Sequence, residues 1–208
     1  MAEDTLLQPL SDLDFLRIVH QFQWSTTNQL CSYIGYNRRS IYRRIHKMKP
    51  YLHLIQEPSR RHIYGLNRKG GLLLETSYME IPDDLQKVYK VLFRNDVWKW
   101  CGYPNWKWKA RLLPASKGIP LIPDAYWYHK RHLYIVEIDA TDNIRHTLRN
   151  MRRYQGLVKQ AKKLGTPVPH VYYFTTDAGR SAWLEESLGG NLFWLQCIHQ
   201  LSEESRLQ

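Results

Sequence analysis

Asp124, Glu137 and Asp139 fall within a single stretch, LIPDAYWYHKRHLYIVEID, and carboxylates so grouped can hold a hard divalent cation through oxygen. The stretch reads as two short apolar strands joined at His129–His132. A turn centred between Lys130 and Arg131 sets Tyr128 opposite Leu133 and Asp124 opposite Glu137. Glu137 and Asp139 are two apart and share one side of their strand. Three carboxylates then meet on one face of a hairpin flanked by Ile135, Val136 and Ile138. Like charges opposed across strands repel, and partial burial raises the cost. A bound cation relieves it, and so does a shared proton, which raises one pKa. The alternative is an exposed hairpin end whose acids are simply solvated.

Around this hairpin the pattern predicts alternating helices and strands. A helix from Asp83 to Trp100 carries Leu85, Val88, Leu92 and Val97 at helical spacing, and Pro104 follows it. Residues 106–113 alternate Trp106, Trp108 and Ala110 with Lys107, Lys109 and Arg111, as in a half-exposed strand. After the two acidic strands come a long basic helix over about 143–164, a buried strand over 171–177, a helix through GRSAWLEESL and a strand through NLFWLQCI. The order α-β-β-β-α-β-α-β predicts an α/β core with a mixed sheet.

The net charge of +11 is concentrated upstream. Residues 37–69 hold ten Lys and Arg against one acid, Glu57. Such a patch attracts a polyanion. It falls on a helix over 12–23, a second helix ended by Gly35, and a third capped by Asn37 and stopped by Pro50. Ile41, Ile45 and Met48 line one side of the third helix, and Arg39, Arg43 and Lys47 line the other, with Arg44 and His46 flanking. Strands over 51–56 and 62–67 follow, their connection tipped by Arg60 and Arg61. This is the order of a winged helix-turn-helix, whose third helix enters the major groove. Arg38, Arg39, Tyr42, Arg43, Arg44 and Lys47 are the candidate DNA contacts on that helix, and Arg60 and Arg61 are candidate phosphate contacts. The predicted domains are 1–76, the DNA-binding unit, and 77–208.

With 8 Trp, 14 Tyr and 5 Phe the chain can fill a core, and no apolar run is long enough for a membrane span. Cys31, Cys101 and Cys197 are scattered and lack a CxxC pair, so buried thiols in a cytoplasmic protein are expected, with no structural zinc at His129 and His132.

Asp124 after Pro123, then Glu137 and Asp139 on the next strand, then a basic helix with Tyr154 and a strand ending Phe174-Thr175-Thr176-Asp177 before Arg180, resemble the PD-(D/E)xK restriction-endonuclease-like fold. More narrowly, residues 12–195 resemble the replication-relaxation family of plasmids and other mobile elements, which joins a winged helix to such a domain. The resemblance implies a DNA-binding protein of a plasmid, phage or other mobile element, acting in replication, relaxation or transfer. Its implied partners are double-stranded DNA, a relaxase, a replication initiator or another element-encoded protein, and a second copy of the chain. It also implies an alternative, a Mg²⁺- or Mn²⁺-dependent DNA endonuclease using Asp124, Glu137 and Asp139 as catalytic and metal-binding residues; without catalysis no cofactor is implied. Asp139 stands where active members carry lysine, so Arg145 and Arg149 are the candidate substitute cations. A transcriptional regulator is a third reading of the same helix-turn-helix.

Overall fold

The computed structural model describes residues 10–57, 59, 61–112, 121–139, 144–175, 177–188 and 195–198, with the side chains of 144 and 146 left aside. The chain is mixed α/β and divides into two compact units, Met1–Lys99 and Trp100–Gln208.

In the first unit, α1 (Asp12–Phe22) starts at Ser11, whose side chain accepts from the Asp14 amide. The strand β1 (Trp24–Thr26) leads into α2 (Thr27–Ile34), where Thr26 and Gln29 form a reciprocal capping box. Gly35 ends α2 with φ 77°, a left-handed conformation that glycine adopts without strain. Asn37 accepts from the Ser40 amide and starts α3 (Arg38–Met48). Pro50 turns the chain through a short 3₁₀ segment into β2 (Leu52–Gln56), which pairs antiparallel with β3 (His62–Leu66). The three-stranded sheet has the order β1-β3-β2. Phe15, Leu16, Val19, Leu30, Ile41, Ile45 and Leu66 form the core beneath the helices.

A short helix, α4 (Arg68–Leu73), follows, and then α5 (Gln86–Trp100). Val88 and Leu92 of α5 pack with Trp24, Ile55 and Ile63. Gln29 Nε2 donates to the Leu92 carbonyl at 2.8 Å and to Asp96 Oδ1 at 2.8 Å. The helix expected to open the second domain at residue 77 is therefore fastened to the first unit, and the division falls at 99/100.

The second unit is a five-stranded mixed sheet of order β4-β5-β6-β7-β8, built from β4 (Lys107–Trp108), β5 (Ala125–His129), β6 (His132–Asp139), β7 (His170–Thr175) and β8 (Leu195–Ile198). β4, β5 and β6 run antiparallel, and β6, β7 and β8 are parallel. The parallel steps are bridged by α6 (Ile144–Leu164) and α7 (Ala178–Leu188), as parallel strands require a long crossover. Met151, Tyr154 and Val158 of α6 and Leu184 and Leu188 of α7 pack with Ile135, Val171 and Tyr173, so both helices cover one face. On the other face rings stack across strands: Trp127 on Tyr134 at 5.0 Å and Tyr134 on His170 at 5.1 Å, with Trp100 edge-on to Phe174 at 5.3 Å.

Two expectations change in detail. The strand over 106–113 is interrupted because Lys109 takes φ 44°, although Lys107, Lys109 and Arg111 are exposed as the alternation predicts. Of the three cysteines, all free, only Cys101 is buried; Cys31 and Cys197 are half-buried. Among the described residues no helix is long and apolar enough to cross a membrane.

Candidate nucleic-acid interface and acidic site

The basic surface of the first unit is organised by α3. Burying Ile41, Ile45 and Met48 at helical spacing forces the remaining positions outward. Arg38, Arg39, Tyr42 and Arg43 are exposed. Arg38 donates to the Tyr42 hydroxyl at 3.1 Å and its guanidinium lies 5.4 Å from that ring. That hydrogen bond holds the Tyr42 phenol below its usual pKa. Arg44 and Lys47 have an acidic partner: Asp12 at the start of α1 reaches Arg44 Nη1 at 2.9 Å and Lys47 Nζ at 2.5 Å. At the β2–β3 connection, Arg61 makes a two-pronged pair with Glu57, at 2.6 and 3.1 Å. It neutralises a buried acid, so its candidate role on phosphate competes with that pairing. Arg60 lies outside the described residues. The outward cations of α3 thus narrow to Arg38, Arg39 and Arg43.

In the second unit the hairpin has the register its sequence predicts. Tyr128 pairs with Leu133 and Ala125 with Val136, so Asp124 and Glu137 are the next opposed positions. The turn holds Lys130 at φ 46° and Arg131 at φ 69°, two left-handed residues of the kind that match hairpin twist. Asp124 and Glu137 share a hydrogen bond between their side chains. Asp124 Oδ2 also accepts from the Ile138 amide at 2.8 Å, and the Tyr154 hydroxyl of α6 donates to Glu137 Oε1. Burial first, then the Asp124 charge, push the Glu137 carboxyl up to about 8, while hydrogen bonds from Tyr154 and Asn150 pull it the other way.

Asp139 is drawn elsewhere. Its side chain is fully buried, and Oδ2 accepts from the Tyr173 hydroxyl at 2.6 Å and Arg180 Nη1 at 3.0 Å. Its Oδ1 is buried without a hydrogen-bond partner among the described residues. The convergence expected of three acids is therefore realised by two, with the third neutralised by an arginine. Among the described residues no group of three or more His, Cys, Asp or Glu is arranged to hold a metal. The Asp124–Glu137 pair nonetheless suits one hard cation, because it has two oxygen donors on one face and holds a proton only for lack of another positive charge.

Arg145 and Arg149, the expected substitute cations, are both exposed on α6. The cation that reaches Asp139 is Arg180, in the first turn of α7. Its placement follows from topology. A parallel crossover returns the next helix to the carboxyl ends of the strands, where Asp139 ends β6. The run of strand, Asp177 and Arg180 carried that signal; Tyr173, paired with Glu137 in the parallel register, was recoverable only by aligning β6 with β7. Asp96, another carboxylate considered for the site, instead belongs to the first unit and is bound by Gln29. Comparison of the chain with protein-family models, with curated proteins and with solved structures returns no match.

Proposed function

We propose that the chain is a double-stranded-DNA-binding protein of a plasmid, phage or other mobile element, acting in replication, relaxation or transfer. One observation carries this reading: α3 buries every aliphatic residue it has and turns Arg38, Arg39 and Arg43 outward, with no acid in its sequence. Three helices with a small antiparallel sheet, β1-β3-β2, form the frame of a winged helix-turn-helix, in which such a helix lies in the major groove. Residues near its start meet base edges, and the remaining cations meet phosphates. A transcriptional regulator would use the same surface. The second unit, a nuclease-like scaffold in this reading, would clamp DNA or dock a relaxase or initiator.

The binding claim has a direct test. In a fluorescence titration of a labelled random-sequence duplex, the Arg39→Ala/Arg43→Ala double variant binds about tenfold or more weakly than the wild type. The slope of log affinity against log salt falls by roughly 1.8, about 0.9 for each lost phosphate contact. Equal affinities would remove α3 from the interface.

A second reading, metal-dependent phosphodiester cleavage, is favoured by the buried Asp124–Glu137 pair. Those two carboxylates would hold Mg²⁺ or Mn²⁺, which when bound orients water and offsets charge on phosphate. Arg180 would bring the positive charge that the lysine position lacks, although Asp139 neutralises part of it. If cleavage occurs, supercoiled plasmid with Mn²⁺ is nicked or linearised by the wild type and left intact by Glu137→Ala. Intact plasmid with both proteins, while duplex binding persists, leaves the binding function alone.

A further inference from the structure

Between the start of α1 and one side of α3 lies a cleft of about 330 Å³, lined by Asp12, Tyr36, Ser40, Arg43, Arg44 and Lys47. Three cations around one carboxylate are unusual for a purely structural contact. Asp12 spends one oxygen on each partner: Oδ1 on Arg44 and Oδ2 on Lys47. A phosphodiester presents the same feature, two non-bridging oxygens sharing a negative charge, and charge-assisted bonds from Arg and Lys suit either anion. The Lys47 side chain remains 67% exposed and that of Asp12 33% exposed, so solvent and competing anions reach the pair. Exposed ion pairs of this kind hold weakly.

We propose that this cleft is a binding site for one backbone phosphate of duplex DNA, and that Asp12 is its internal occupant, displaced when DNA arrives. The inference rests on the reading of α3 as the DNA-contacting helix. On binding, the phosphate takes the Arg44 and Lys47 contacts, with Arg43 and the Ser40 hydroxyl at the rim. Asp12 then acts as a brake on sequence-independent affinity, because every phosphate seated there must first compete with a carboxylate. Its neutralisation strengthens binding, the opposite of what loss of a purely structural ion pair would do.

The test is a salt series of duplex titrations on the full chain, using the same labelled random-sequence duplex, with thermal melting of each variant as a check on folding. Asp12→Asn binds roughly three- to tenfold more tightly than the wild type, and its salt slope steepens by about 0.9, the value for one more neutralised phosphate. Arg44→Gln/Lys47→Gln binds more weakly with a shallower slope, and adding Asp12→Asn to it restores nothing. If Asp12→Asn binds no better than the wild type with an unchanged slope, while Arg39→Ala/Arg43→Ala still weakens binding, the cleft proposal fails and the α3 reading stands. If Asp12→Asn does not fold, the Arg44→Gln/Lys47→Gln pair decides: unchanged affinity and slope overturn the proposal. Absence of duplex binding by both the wild type and Asp12→Asn at low salt overturns both readings together.

Discussion

Replacing Glu137 with glutamine stabilises the protein at pH 8 and flattens its stability between pH 4.5 and 8. The sign follows from linkage. Glu137 ionises near its ordinary value of 4.5 in the unfolded chain and near 8 in the folded one, because burial and the Asp124 charge oppose its ionisation. Its protonated contribution is intact below the unfolded value and is lost as pH rises through the folded value. At 1.36 kcal/mol per pKa unit the loss approaches roughly 5 kcal/mol by pH 8. Glutamine stays neutral throughout, can donate to Asp124 and can accept from Tyr154. Asp12 and Asp14, both held below the usual carboxylate range by their hydrogen-bonding partners, affect stability only in more acidic solution. His170 is shared by both proteins, so the difference between their curves isolates Glu137. Urea midpoints measured across this range should separate progressively toward pH 8. Mn²⁺ should recover stability in the wild type and not in the glutamine variant if the pair accepts a cation. Parallel pH curves would show that the carboxyl is not held protonated by its surroundings.

Arg94→Ala costs about 3 kcal/mol, read as the opening free energy of β3 amides in native-state hydrogen exchange. Arg94 is buried on α5, and burial lowers its pKa to about 10, so it stays charged at neutral pH. Its guanidinium donates to the Phe22 carbonyl at 2.6 Å, to Gln23 Oε1 at 2.9 Å and to Asn95 Oδ1 at 2.8 Å. Asn95 in turn donates to the carbonyls of Phe22 at 3.1 Å and Trp24 at 2.7 Å. Phe22 is the last residue of α1 and Gln23 turns away with φ 63°, so the arginine satisfies a helix end that no glycine terminates. Alanine removes the fork, leaves Asn95 Oδ1 short of donors and opens a void. Lysine keeps the charge without the planar fork and recovers only part of the loss. A change below about 1 kcal/mol for alanine would mean that the network is replaceable by water.

What the sequence revealed depended on the range of the signal. The hairpin register was legible because alternation is local and the connection is short, so Tyr128 opposite Leu133 could be read before any coordinates. The third helix was legible because Ile41, Ile45 and Met48 repeat between a capping Asn37 and Pro50. By contrast β1, with three residues, is too short for periodicity and overlaps the Thr26 cap. The pairing of Asp12 with Arg44 and Lys47 joins residues more than thirty positions apart, and composition alone made those cations look uncommitted. At the acidic site, side-of-strand logic put three carboxylates together but could not foresee that Tyr173 and Arg180 would claim Asp139. The assignment of α5 to the first unit likewise depends on Gln29 and Arg94 reaching across long sequence separations, which no local pattern encodes.

The central claim, that the outward face of α3 meets duplex DNA, is tested most directly by following the arginine side-chain and backbone amide signals of the labelled chain as a duplex is titrated in. The account predicts that Arg38, Arg39 and Arg43 shift first and most, with Ile41 and Ile45 moving little because they face the core. Shifts confined to the second unit, with the α3 signals unmoved at saturation, would contradict it.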